Sequence, residues 1–299
     1  MVTGRGAREV GGGLEWGAGS RRRLAKARAF EVAALMAVLF GVLALAVILG
    51  DLLLDGARHL SGQFFANYPS RFPERAGIRA PLMGTIWILG LTGIMAVPVS
   101  VGAAVYLEEY APMNWATRLI RTNIATLAGV PSIVYGILGL ALFVRTLGLG
   151  RSVLSGALTL SLLIMPIIIL TAQQAIRAVP REVREGAYAL GATRWQVVRH
   201  QVLPLALPGI VSGAILAVSR AIGETAPLIM IGAMSFIAFT PASLGDPFTA
   251  LPIQIFHWVS RPQEEFKGLA AAAILVLMAL VLTMNAAAFL IRSRSRLEE

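Results

Sequence analysis

Apolar side chains in this chain come in long blocks separated by short polar stretches. The uninterrupted apolar runs cover residues 32–50, 80–107, 122–144, 152–176, about 205–235 and 268–291. Each exceeds the ~18 residues that a helix needs to cross a hydrocarbon core ~30 Å thick at ~1.5 Å per residue. The pattern predicts an all-α, polytopic membrane protein with six transmembrane helices. Residues 1–28 are basic, Gly-rich and without periodicity, and read as a disordered tail. A first transmembrane helix is expected at 29–54, a five-helix core at 80–292 with a polar loop at 176–204, and a short tail at 293–299. The first run is too long for the apolar part of a signal peptide, and no small-x-small cleavage site follows it before Asp51 and Asp55, so it is expected to be retained.

Composition agrees with the blocks. With 57% hydrophobic and 14% charged residues and a mean hydropathy of +0.73, the chain has too few polar side chains to cover a water-soluble surface. The excess of 26 Lys and Arg over 16 Asp and Glu, a net charge of +10, would by itself suggest nucleic acid. A nucleic-acid domain needs a polar surface, so lipid is the expected partner and nucleic acid is not. With the N-terminus inside, 17 Lys and Arg fall on cytoplasmic segments and 8 on outer loops, which fits the positive-inside rule with both termini cytoplasmic. Arg220, inside the fifth run, belongs to neither set.

Several chemistries lack their residues. There is no cysteine, and His59, His200 and His257 all lie outside the runs, so no metal site and no Cys or Ser-His nucleophile is expected. No G-x-x-x-x-G-K-[ST] occurs, and the only lysines, Lys26 and Lys267, follow no glycine-rich turn. The chain is expected to be no enzyme and to hold no cofactor. Pro98, Pro131, Pro166 and Pro227 punctuate the runs, and Gly84, Gly90, Gly93, Gly136, Gly139, Gly209 and Gly213 would let helices approach closely.

The 176–204 loop predicts two short helices joined by a turn. Pro180 suits a first helical turn, followed by Glu182 and Glu185; Gly191 suits a left-handed end; and Thr193 with Gln196 forms a capping-box pattern for a second helix through Val198, closed by Pro204. Within it, Glu185-Gly186-Ala187, Gly191 and Gln201-Val202-Leu203-Pro204 resemble the E-A-A, x3, G, x9, I-x-L-P loop of ABC-importer permeases, with Gly186 and Gln201 departing from the pattern. The resemblance implies that Glu185, Gly186, Ala187, Gly191, Leu203 and Pro204 belong to a coupling loop docking on a separate ATPase.

Arg220 and Glu224 stand one helical turn apart in the fifth run, where an ionised side chain costs at least ~2.5 kcal/mol unless it faces a bundle interior or water. The segment from Ser219 to Pro227 resembles the R-x-x-G-E-T motif of phosphate-importer permeases, and Gly129-Val130-Pro131-Ser132-Ile133 resembles the same family's V-P-S-I stretch. Leu251-Pro252-Ile253-Gln254-Ile255-Phe256 is similar to the PstA-type subunit more than to its PstC-type partner. The resemblance implies a type I ABC-importer permease (MetI-like) fold in the bacterial inner membrane, with Arg220, Glu224 and Thr225 on the path of inorganic phosphate. It also implies a PstC-type partner in a heterodimer, two copies of an ATPase that binds ATP and Mg, and an extracytoplasmic phosphate-binding protein. Two alternatives stay open: a permease for sulfate or molybdate, and an ion-coupled secondary transporter using the Arg220–Glu224 pair as a proton relay.

Overall fold

The computed structural model describes residues 18–233 and 236–295, and all regular structure among them is helical. The chain divides into two units at residues 51 and 52. Helix α1 (Ala18–His59), most of which belongs to the first, begins at residue 18, so residues 18–28 are helical where a tail was expected. The apolar run extends no further back than residue 32, but helical backbone bonding does not require apolar side chains. The rest of the expected tails, 1–17 and 296–299, lies outside the described residues.

In the second unit, α2 (Gly62–Ala66) precedes α3 (Arg79–Val105), which continues through a π turn to Tyr110. Then come α4 (Trp115–Leu127), α5 (Ser132–Gly139) with a π extension to Thr146, and α6 (Val153–Ala178). The polar loop holds α7 (Arg181–Ala189) and α8 (Arg194–Val197), and α9 (Leu203–Ile222) follows. Last are α10 (Ala226–Ile231), α11 (Leu251–Val259) and α12 (Glu264–Ser295). Five of the expected spans are met by a long apolar helix or a continuous helical stretch.

The third run is not straight. α4 and its continuation through Thr146 meet at 104° across Ala128–Pro131. Pro131, lacking an N–H, caps α5 instead of extending α4, and the Tyr135 hydroxyl donates to Leu127 O at 2.9 Å, serving a carbonyl the bend leaves free. The fifth run is shorter than its apolar length. α9 ends at Ile222, and Pro227 in the first turn of α10 starts a separate helix. Pro98 and Pro166 remain inside unbroken helices.

α6 is central. It packs on α3, α5 and α9, while α9 also packs on α12, and α10 on α5. Two-thirds of α6's apolar stretch is buried against 6% of α12's. In lipid, apolar side chains gain little by leaving their solvent, so these contacts rest on close approach and on hydrogen bonds. A Cβ at Gly213 would lie 2.5 Å from Thr171 Oγ1, and a Cβ at Gly136 would lie 2.7 Å from Pro227 Cα. Gly90 faces open space and Gly93 has only a distant neighbour, so neither is such a contact. Ser161 donates to Thr92 O at 3.4 Å and to Ala157 O at 2.7 Å, linking α6 to α3.

Candidate functional site

Ending α9 at Ile222 moves Arg220 from mid-span to the last helical turn, where a cation meets the negative end of the backbone dipole. Glu224 lies just before α10, near that helix's positive end. The break between the helices thus relieves both charges by backbone dipoles, a mechanism that hydropathy alone does not reveal. Arg220 Nε stands 3.7 Å from Glu224 Oε1; the Arg220 side chain is 60% exposed and that of Glu224 19%. At that separation the pair is loose, and the Arg220 terminal nitrogens make no hydrogen bond among the described residues.

The two sequence motifs converge here. A cavity of about 260 Å3 is lined by Arg220 and Glu224, by Ala128 through Ser132 at the bend, by Tyr135, and by Leu163 and Ile167 of α6. Gly136 holds α10 against α5, so the two breaks of the backbone lie side by side. One guanidinium, one carboxylate and the start of α5 therefore face one small space, walled on the other side by Leu163 and Ile167. Thr225 does not line this cavity; its hydroxyl donates to Gly223 O at 3.4 Å.

The polar loop has the expected turn. α7 ends before Gly191, which is left-handed at φ +83°, and Thr193 and Gln196 form a reciprocal capping box at α8. Pro204 does not separate the two-helix unit from the next span: α8 runs through a π turn at Val198–Val202 directly into α9, making one stretch Arg194–Ile222. The wider turn lies just before the residue that has no N–H to donate. Ala187 and Gly191 line a cavity of about 370 Å3 with Leu190, Gln196 and His200. Glu185 and Gly186 are exposed outside it, Leu203 is half-buried and Pro204 is exposed. Leu190 at 90% exposure, with Tyr188 and Trp195, leaves an apolar surface on an otherwise polar loop.

An ion-pair network was not anticipated from the sequence. Glu108 takes a bidentate pair from Arg177 at 2.8 and 2.7 Å and a second cation, Arg121, at 2.5 Å. Arg184 of α7 donates to Glu109 Oε1 at 3.0 Å, to Val179 O at 2.6 Å and to Ile176 O at 2.8 Å. It thereby caps the C-terminal carbonyls of α6 and ties α7 to the end of α3. The available signal was an acidic pair closing one apolar run on the same side as the arginines that close another.

On the opposite end, α11 is a helix whose Leu251 and Trp258 are fully buried against α12, α2 and the start of α3. Burial holds the His257 imidazole below its ordinary pKa, and Arg261 adds to the effect. Among the described residues, no group of side chains is placed to hold a metal ion.

Residues 96–297 match the family described as "Binding-protein-dependent transport system inner membrane component". The chain is 33% identical over 249 residues to "Probable ABC transporter permease protein YqgI" of Bacillus subtilis (strain 168), covering 79% of this chain and 85% of that one. It is 36% identical over 222 residues to "Phosphate transport system permease protein PstA 1" of Mycobacterium tuberculosis (strain CDC 1551 / Oshkosh), covering 74% and 72%. Among solved structures, a chain of the inward-facing MetNI methionine ABC transporter superposes with a TM-score of 0.59 at 19% identity, over 72% of this chain and 96% of that one. That likeness establishes a MetI-like fold.

Proposed function

The chain belongs to the binding-protein-dependent transport system inner-membrane component family, and on that premise we propose that it is the PstA-type permease subunit of a phosphate importer. It is a transport subunit, and ATP hydrolysis with its Mg falls to a separate ATPase. Two copies of that ATPase, a PstC-type permease partner and an extracytoplasmic phosphate-binding protein complete the assembly. Both termini face the cytoplasm, which puts α7 and α8 on the ATPase side. The observation that carries the reading is the single cavity that Arg220 and Glu224 share with the 128–132 bend.

An importer must expose its path to each side in turn, since an anion path open to both would dissipate the gradient. Arg220 receives phosphate transiently, its terminal nitrogens having no hydrogen-bond partner among the described residues. Glu224 is near enough to pair with Arg220 when the path is empty and loose enough to yield it. Thr225 supports the backbone between the two helices. A push on the loop bearing Glu185, Gly186, Ala187 and Gly191 crosses the tight Gly191 turn into α8 and from there runs into α9, because α8 and α9 are one helical stretch through Leu203 and Pro204.

The test is ATP-driven phosphate uptake into vesicles carrying all subunits. Arg220→Ala is expected to cut uptake at least about tenfold, the scale of losing one charge-assisted contact of ~1.5–3 kcal/mol. Unchanged uptake overturns the pathway role. Sulfate and molybdate should compete poorly with labelled phosphate; strong competition by either favours the alternative oxyanion. Uptake by the chain alone on a proton gradient would instead favour a secondary transporter.

A further inference from the structure

A second cavity, of about 550 Å3, opens at the end of the bundle that carries α7, away from the 128–132 bend. It is lined by Arg118 and Arg121 of α4, Arg177 at the end of α6 and Arg181 at the start of α7, against one carboxylate, Glu108. Glu108 is already engaged by Arg121 and Arg177. The side chains of Arg118 and Arg181 make no hydrogen bond, ion pair or ring contact among the described residues. Four positive charges against one in a single recess form a site short of negative charge.

The polar wall adds a neutral donor. Asn114 accepts from Thr117 N through Oδ1 as the cap of α4, which leaves its side-chain N–H groups free. The opposite wall is apolar, built from Leu107, Ala111, Pro112 and Met113. Met113 is fully exposed, and Trp115, the next residue after the lining residue Asn114, is 78% exposed. Tryptophan is enriched at headgroup depth, where its ring is half apolar and half wet. The recess therefore presents arginines for a phosphate group and an apolar lip for what is attached to it.

We propose that this recess is a binding site for a phosphate-bearing anion held by Arg118 and Arg181, with Arg121 and Arg177 supporting. Its chemistry is that of a phosphodiester headgroup of an anionic phospholipid, and free phosphate shares the charged part. Seated there, the ligand neutralises the recess and bridges α4 to the start of α7, so the lipid or the phosphate level influences the coupling loop. The inference rests on the membrane-spanning reading and not on which anion is transported.

The experiment measures binding to the purified full chain on an Arg220→Ala background, which removes the pathway arginine. Phosphatidylglycerol, phosphatidylcholine and labelled inorganic phosphate are the probes. Phosphatidylglycerol is expected to bind more tightly than phosphatidylcholine, and the Arg118→Gln, Arg181→Gln double substitution to weaken it at least about tenfold with phosphatidylcholine unchanged. The corresponding double lysine substitution, which keeps the charge, should recover most of the affinity and controls for misfolding. If inorganic phosphate binds and is lost in the glutamine variant, while the two lipids bind alike, the anion site stands with free phosphate as its ligand. If the glutamine variant binds all three probes as the parent does, or loses both lipids equally, the proposal is overturned. Phosphate uptake is scored separately, so failed transport with intact binding counts against the transport reading alone.

Discussion

Arg184 offers the sharpest quantitative test of how the loop is held. Its guanidinium reaches Glu109 from two nitrogens, at 3.0 and 3.3 Å, and two carbonyls at the end of α6, Val179 at 2.6 Å and Ile176 at 2.8 Å. Glu109 is 8% exposed. Arg184→Ala therefore strands a nearly buried carboxylate and frees two helix-end acceptors. Removing one partner of a buried ion pair costs about 3–5 kcal/mol. The Arg184 side chain keeps 18% of its surface exposed, so water softens the loss toward the lower end of that range, about 3 kcal/mol. If the cost falls on the local opening of α7, hydrogen exchange of its amides should accelerate about a hundredfold, while α6 and α9 keep their protection. Adding Glu109→Gln removes the stranded charge and should restore at least ~1 kcal/mol, an interaction energy read from the double-mutant cycle. In the assembled transporter, more ATP should be hydrolysed per phosphate carried. Exchange in α7 that rises less than about threefold refutes the argument, since the loop would then be held by something other than this latch.

Two further outcomes follow from local geometry. Gly191 is left-handed with nothing near its missing Cβ, so Gly191→Ala should cost about 1–2 kcal/mol through backbone strain alone, with Gly191→Asn costing less, in thermal unfolding and in ATPase stimulation. For His257, burial lowers the folded-state pKa below the unfolded value of ~6.5, so the unfolded chain binds the extra proton as pH falls through that value, and folding stability drops. His257→Gln should remove that part of the difference between melting at pH 7.5 and at pH 5.5; an undiminished difference assigns the pH dependence to other groups.

Much of the molecule was legible because its causes are local. A helix in lipid satisfies its own backbone, so apolar runs of sufficient length mark spans without reference to their neighbours. The capping box at Thr193 and Gln196 and the left-handed Gly191 are likewise set within a few residues. The 185–204 segment and the Arg220 and Glu224 motif were legible by a different route, their resemblance to the motifs of a permease family.

What stayed hidden depends on partners distant in the chain. The apolar content of 122–144 does not say that the helix breaks, because the break needs Pro131 together with the Tyr135 hydroxyl folding back to Leu127. That Arg220 closes a helix, with its cation at the dipole's negative end, follows from α10 turning away to pack on α5, over Gly136. The latch from Arg184 to Glu109 spans 75 residues. Hydropathy sums over neighbours in sequence and is blind to such pairs, whereas ion pairs, helix breaks and cavities arise where distant segments meet. The chain's own pattern therefore marks which segments are long and apolar enough to span, and packing decides where, inside that bundle, a helix breaks and a charge can stand.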